Sequence, residues 1–178
     1  MVCCFFGHKD VPLGLTEYLL PVLTDLIAEG VDSFLVGNQG SFDSAILHTL
    51  RLLKQKYSHI NYNVVLAYMP GAKEDWSAYD PMETLYPEGL EAVHPRFAIS
   101  WRNKWMVQES DVVVTYITHS WGGAAQFAEL AERKQKQVIN IASMMDYKTE
   151  KYVLNFKPLS FNKQVFDFFG ELLKIILL

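Results

Sequence analysis

The chain has 178 residues, half of them apolar and a fifth charged, with 10 Gly and 7 Pro. That composition supports one domain with a sizeable core and excludes intrinsic disorder and fibrous repeats. A formal charge of -4 argues against a protein that grips nucleic acid over a broad basic face, but allows an anionic small molecule held by a few groups in one crevice.

Residues 2–6, VCCFF, form a short apolar run that stops at Gly7 and His8, as a fully buried strand does. Leu15 to Glu29 reads as a helix, because Leu15, Leu19, Leu20, Val22, Leu23, Leu26 and Ile27 recur at helical spacing and Gly30 supplies a stop. Pro21 falls inside it and removes one backbone hydrogen bond. Ser33 to Gly37 is the second strand, and a loop from Gly37 to Ser41 leads into a helix from Phe42 to Tyr57. Its buried stripe is expected at Ile46, Leu50, Leu53 and Tyr57, widened by Ala45 and Leu52. Asn63 to Met69 is the third strand.

From Pro70 to Pro95 four prolines and no clear period predict a long loop of the kind that serves as a lid or binding loop. Phe97 to Ser110 returns to helical spacing, and Asp111 to Ile117, DVVVTYI, is the strongest strand pattern in the chain. Gly122 to Gln135 follows as a helix and Gln137 to Ile141 as a fifth strand. Residues 142–163 carry no clear pattern. Val165 to Leu178 reads as a helix that docks on its own domain or on an oligomer partner, since its charged residues and its length fall short of a membrane span.

Strands alternating with helices predict a single α/β domain, a Rossmann-like three-layer fold with a central parallel sheet of about five strands in the order 3-2-1-4-5. The core covers residues 1–141, with 142–178 as a C-terminal extension. In that order the winding reverses between the first and fourth strands, so a crevice opens at their carboxyl ends. Cys3 and Cys4 are adjacent and point to opposite faces of a strand, which disfavours a mutual disulfide. Together with the absence of a basic leader in MVCCFFGHK, this makes the cytoplasm the expected compartment. No cofactor is expected. Neither His94 nor His119 has a spacing typical of a zinc ligand set, so no metal is expected either.

Three turns precede helices at the predicted crevice. In VGNQGSFDSA, Gly37 and Gly40 allow close backbone approach, Asn38 and Ser41 offer polar contacts, and Asp43 is placed to cap the helix or bind a ribose hydroxyl. In THSWGGAAQFAEL, Ser120 can donate a hydrogen bond, Gly122 and Gly123 open the backbone at a helix N-terminus, and Gln126 lies one turn in. Gly7 and His8 end the first strand at the same edge, where His8 could donate to a phosphate or a base. In ISWRNKWMVQESD, Arg102 and Met106 lie one turn apart on one helix face, with Asn103 beside them. The guanidinium suits a phosphate or carboxylate, and Trp101 or Trp105 could stack on a base. Each feature also has a plain structural reading as a tight strand-to-helix turn, a hydrogen-bonded structural histidine, or a solvated charged helix face with its tryptophans in the core.

Together, FFGHK, VGNQGSFD, RNKWM and DVVVTYITHSWGGAAQFAELA resemble the SLOG superfamily, Rossmann-like proteins that include the lonely-guy phosphoribohydrolases and sensors of nucleotide-related ligands. The resemblance runs from about Val2 to Ile141. It is closer to small bacterial members with a Gly-His pair after the first strand and an Arg-Asn pair before the fourth. In the enzymes an Arg followed four residues later by Met, with a PGGxGTxxE turn, holds a nucleoside monophosphate and breaks its N-glycosidic bond. Arg102 and Met106 match the first pattern. Gly122, Gly123 and Glu129 match the second, while Trp121, Ala125 and Gln126 depart from it.

The resemblance implies a cytoplasmic sensor or sequestering protein for a nucleoside phosphate, ADP-ribose-like or cyclic-nucleotide ligand, with a homo-oligomeric state. A second reading is a phosphoribohydrolase in which Arg102 orients the phosphate and Glu129 supports cleavage. A third is a non-catalytic scaffold making contacts through Trp76, Tyr79, Tyr86 and the C-terminal helix.

Overall fold

The computed structural model describes residues 1–69 and 82–145. Its elements follow one another as β1 (Val2–Gly7), α1 (Thr16–Ala28), β2 (Ser33–Val36), α2 (Ser41–Lys56), β3 (Asn61–Val65), β4 (Thr84–Leu85), α3 (Pro95–Glu109), β5 (Val112–Tyr116), α4 (Gly123–Arg133) and β6 (Gln137–Asn140). The six strands form one sheet in the order β4-β3-β2-β1-β5-β6, every neighbouring pair parallel. This is a Rossmann-like α/β architecture.

The period of two along β1 explains why both faces of the sheet must be covered. Cys3 and Phe5 face one side, where they pack with Leu19 and Leu23 of α1 and Phe42, Ile46 and Leu50 of α2. Cys4 and Phe6 face the other, against Met106 and Val107 of α3 and Phe127 and Ala131 of α4. A strand apolar on both sides is stable only when helices exclude water from both. Cys3 pairs in register with Phe34 on one side and Val112 on the other, which puts β1 at the centre of the sheet. The two cysteines are free and buried, as their opposite orientation requires.

Several expected boundaries move. The segment read as one long loop contains β4, a 3-10 turn at Leu90–Ala92 and the start of α3. Two residues of strand are too few to show a period, and Val64 and Val65 recruit Thr84 and Leu85 by pairing alone. Pro95 opens α3 rather than ending a loop, since its missing N–H is no loss in a first turn, and His94 Nδ1 caps the helix by accepting from the Arg96 amide at 3.3 Å. The third strand starts two residues earlier than expected, at Asn61 opposite Ser33, and ends at Val65. Leu52 does not widen the buried stripe of α2. It is 38% exposed, because its position turns outward from the Ile46–Leu50–Leu53 face.

Pro21 sits within α1 without ending it. Among the described residues no helix is long and apolar enough to cross a membrane, and no group of three metal-ligating side chains is assembled. The expected helix from 165 to 178, and Trp76 and Tyr79, lie outside the described residues.

Candidate functional site

Chain winding reverses between β1, which is followed by β2 and β3 on one side, and β5, which begins the other side. The loops leaving neighbouring strands diverge at such a point, so the space outside their carboxyl ends is left open. A crevice of about 110 Å³ occupies it. The end of β1 contributes Phe5, Phe6, Gly7 and His8, and the β2–α2 turn contributes Gly37, Gln39, Gly40, Phe42 and Asp43. One face of α3 contributes Ile99, Arg102, Asn103 and Met106, and the first turn of α4 contributes Gly123 and Ala124.

Arg102 is the dominant group. It lies between Ala98 and Met106 on the stripe of α3 that faces the sheet, and is only 2% exposed. Its Nη1 donates to the Val65 carbonyl at the end of β3, at 2.8 Å. Its Nε is buried with no hydrogen-bond partner. The guanidinium of this wall residue is thus anchored by one corner, while its Nε remains a buried donor without a partner. Burial lowers the Arg102 pKa, and Asp43 and Tyr68 oppose that shift. A buried donor left unpaired costs about 1–3 kcal/mol, which a native site sustains when a ligand completes it.

Asp43, in the first turn of α2, is half-buried. Its Oδ2 accepts the Gln39 amide at 2.8 Å and so closes the Gly37–Ser41 loop. Burial raises its pKa, and the Gln39 amide and the nearby Arg102 charge pull it back. Gly37 makes this arrangement possible. A Cβ there would lie 2.5 Å from Asp43 Oδ2 and 3.0 Å from Arg102 Nη1.

Two helices, α2 and α4, bring their N-termini to the crevice wall. First-turn amides have no intrahelical acceptor and carry the positive end of the helix dipole. Asp43 already compensates α2, whereas α4, capped by Gly122, has no acidic residue in its first turn. The Gly123 end of α4 is therefore the more electropositive of the two.

His8 bridges β1 to the turn after β5. Its backbone N–H donates to the Tyr116 carbonyl at 3.1 Å and its ring Nε2 accepts the Thr118 amide at 3.1 Å. That bond assigns the neutral ring its proton on Nδ1. Burial and the adjacent His119 both lower the His8 pKa.

The crevice thus brings together Gly7, His8, Gly37, Gly40, Asp43, Arg102, Asn103 and Gly123 from the sequence-derived set. Others fall outside its wall. Ser41 donates its hydroxyl to the Lys9 carbonyl and ties two loops together. Asn38 accepts from its neighbour Gln39, and Asn38, Ser120, Gly122 and Gln126 are exposed. Glu129 also lies elsewhere, its side chain 65% exposed and paired with Arg133 one turn on at 3.4 Å. The crevice wall also includes Phe5, Phe6, Phe42, Gln39, Ile99 and Ala124, none of which stands out by chemistry. Ile99 alone had a usable signal, lying three residues before Arg102 on the same helix face.

Fold and site together define a Rossmann-like α/β protein with a crevice at its topological switch point that is lined by one guanidinium and one carboxylate. Comparison of the chain with protein-family models and with curated proteins finds no match.

Proposed function

We propose that the crevice holds the phosphate of a nucleotide-derived small molecule and that the protein acts as a sensor or sequestering protein for it. The observation that carries this reading is the buried guanidinium of Arg102, a residue of the crevice wall whose Nε has no hydrogen-bond partner. The Nε–Nη2 edge suits an anion with two oxygens in one plane, and the uncompensated N-terminus of α4 adds backbone donors. At about 110 Å³ the crevice takes a phosphate and part of a sugar. Pockets that enclose a whole drug-sized ligand run to roughly 300–1,000 Å³, so the remainder of the molecule would lie across the rim. The nucleotide character of the ligand rests on the resemblance of the sequence motifs to the SLOG superfamily.

Phosphoribohydrolase activity is the second reading, because Arg102 and Met106 both line the crevice one turn apart. It lacks Glu129, so the carboxyl available to it is that of Asp43. One experiment separates the two. The protein is incubated with nucleoside monophosphates, ADP-ribose and cyclic nucleotides, and free base and retained ligand are followed by liquid chromatography and mass spectrometry. Intact ligand retained by the wild type and lost in Arg102→Ala is the expected result. Base release dependent on Arg102 supports the hydrolase instead, and no retention or release at millimolar ligand refutes both.

A further inference from the structure

An aromatic ladder climbs from the crevice wall to solvent. The His8 and His119 rings stack with centroids 3.7 Å apart and planes 18° from parallel. His119 then stacks on Trp121, again at 3.7 Å and within 15°. The inner rung lines the crevice, and the outer rung is 71% exposed. One face of the indole is covered by His119, so its exposure belongs largely to the opposite face.

This arrangement is held from several directions. Asn140 accepts the Ile117 amide at 3.0 Å and donates to the Ile117 carbonyl at 2.8 Å, which fixes the base of the turn. His8 Nε2 takes the Thr118 amide, and His119 Nδ1 lies 2.9 Å from the Trp121 carbonyl. A tryptophan so exposed contributes little to a core, yet its ring is pre-ordered by the rungs beneath it. Trp121 also immediately precedes Gly122 and Gly123, the turn that opens α4 at the crevice.

We propose that the open face of Trp121 is a stacking platform for the planar base of a nucleoside phosphate whose phosphate lies in the Arg102 crevice. This rests on the anion-binding reading above and adds where the base goes. Stacking on an ordered ring needs little reorganisation and has weak base preference, because every base has a π-face. It also explains how a small crevice serves a larger ligand: the sugar crosses the rim and the base lies outside on the ladder.

The test is calorimetric titration of the full chain with adenosine 5'-monophosphate and with ribose 5-phosphate, which lacks the base. Wild type is expected to bind the nucleotide about tenfold or more tightly than the sugar phosphate. Trp121→Ala should remove that difference and leave ribose 5-phosphate binding unchanged, Trp121→Phe should keep most of it, and Arg102→Ala should weaken both ligands. Nucleotide-induced quenching of tryptophan fluorescence should be lost with Trp121→Phe, although three other tryptophans remain. Equal affinity of the wild type for both ligands, or full nucleotide affinity in Trp121→Ala, overturns the platform alone. Unchanged binding of both ligands in Arg102→Ala overturns the phosphate site. Absence of any binding at millimolar concentration overturns both.

Discussion

Replacing Arg102 by Met tests whether a buried cation is there for stability or for a ligand. Met keeps an unbranched apolar stem of similar reach between Ala98 and Met106 but removes the charge and all donors. On the unfavourable side, the variant loses the bond from Nη1 to the Val65 carbonyl, worth about 1.5–3 kcal/mol for a charged donor. On the favourable side, it removes the unpaired Nε, about 1–3 kcal/mol, and part of the desolvation of a charge only 2% exposed. These terms nearly cancel, so Arg102→Met is expected within about 1 kcal/mol of wild type in anion-free buffer, a Tm shift of roughly 2–4 °C or less for a chain of this size. Ligand should separate the two proteins. At one hundred times Kd, binding adds about 2.7 kcal/mol to the wild type, roughly 5–10 °C, and nothing to the variant. Thermal melts with and without adenosine 5'-monophosphate or phosphate measure both quantities. A loss of more than about 3 kcal/mol in the anion-free variant would show that Arg102 is a structural strut, and equal ligand shifts in the two proteins would refute the site.

Gly7→Ala should cost about 1–3 kcal/mol in urea unfolding, because the added methyl would come within 2.8 Å of Phe42 Cβ and closer still to its ring, at the buried start of α2; unchanged stability would contradict that packing. The two thiols should resist alkylation at pH 8 in the folded protein and react only on unfolding. Burial raises both pKa values, that of Cys4 to about 12 from 9.0. Their contribution to stability is complete below about pH 9 and is withdrawn as pH rises toward 12, so stability measured across that window should fall. His8 has the opposite sign: its folded pKa lies below 6.5, so its contribution is complete above that value and is lost as pH falls through the folded pKa. His8→Gln should flatten the slope of urea midpoints below pH 6.5, and an unaltered slope would rule out His8 as its source.

The alternation of apolar runs and helical stripes determined the α/β class, the parallel sheet and the place of the crevice, because each depends on periodicity and on the rule that parallel strands need covered crossovers. Gly37, Asp43 and Arg102 were legible as chemistry, since a glycine-rich turn and a cation near a strand end are local features. Only the tertiary structure decided what those residues do for one another. Arg102 is buried because α3 turns it toward β3, and its Nε is left unpaired because the Val65 carbonyl reaches one corner of the guanidinium alone. Glu129 and Gln126 lie in the same motif as Gly123, yet α4 carries both into solvent while its first turn stays at the crevice. Two-residue β4 is invisible without its partner, since a strand that short exists only through pairing. The ladder of His8, His119 and Trp121 joins residues from two separate strand ends, and no spacing along one chain segment encodes a ring stack formed when β1 and β5 become neighbours.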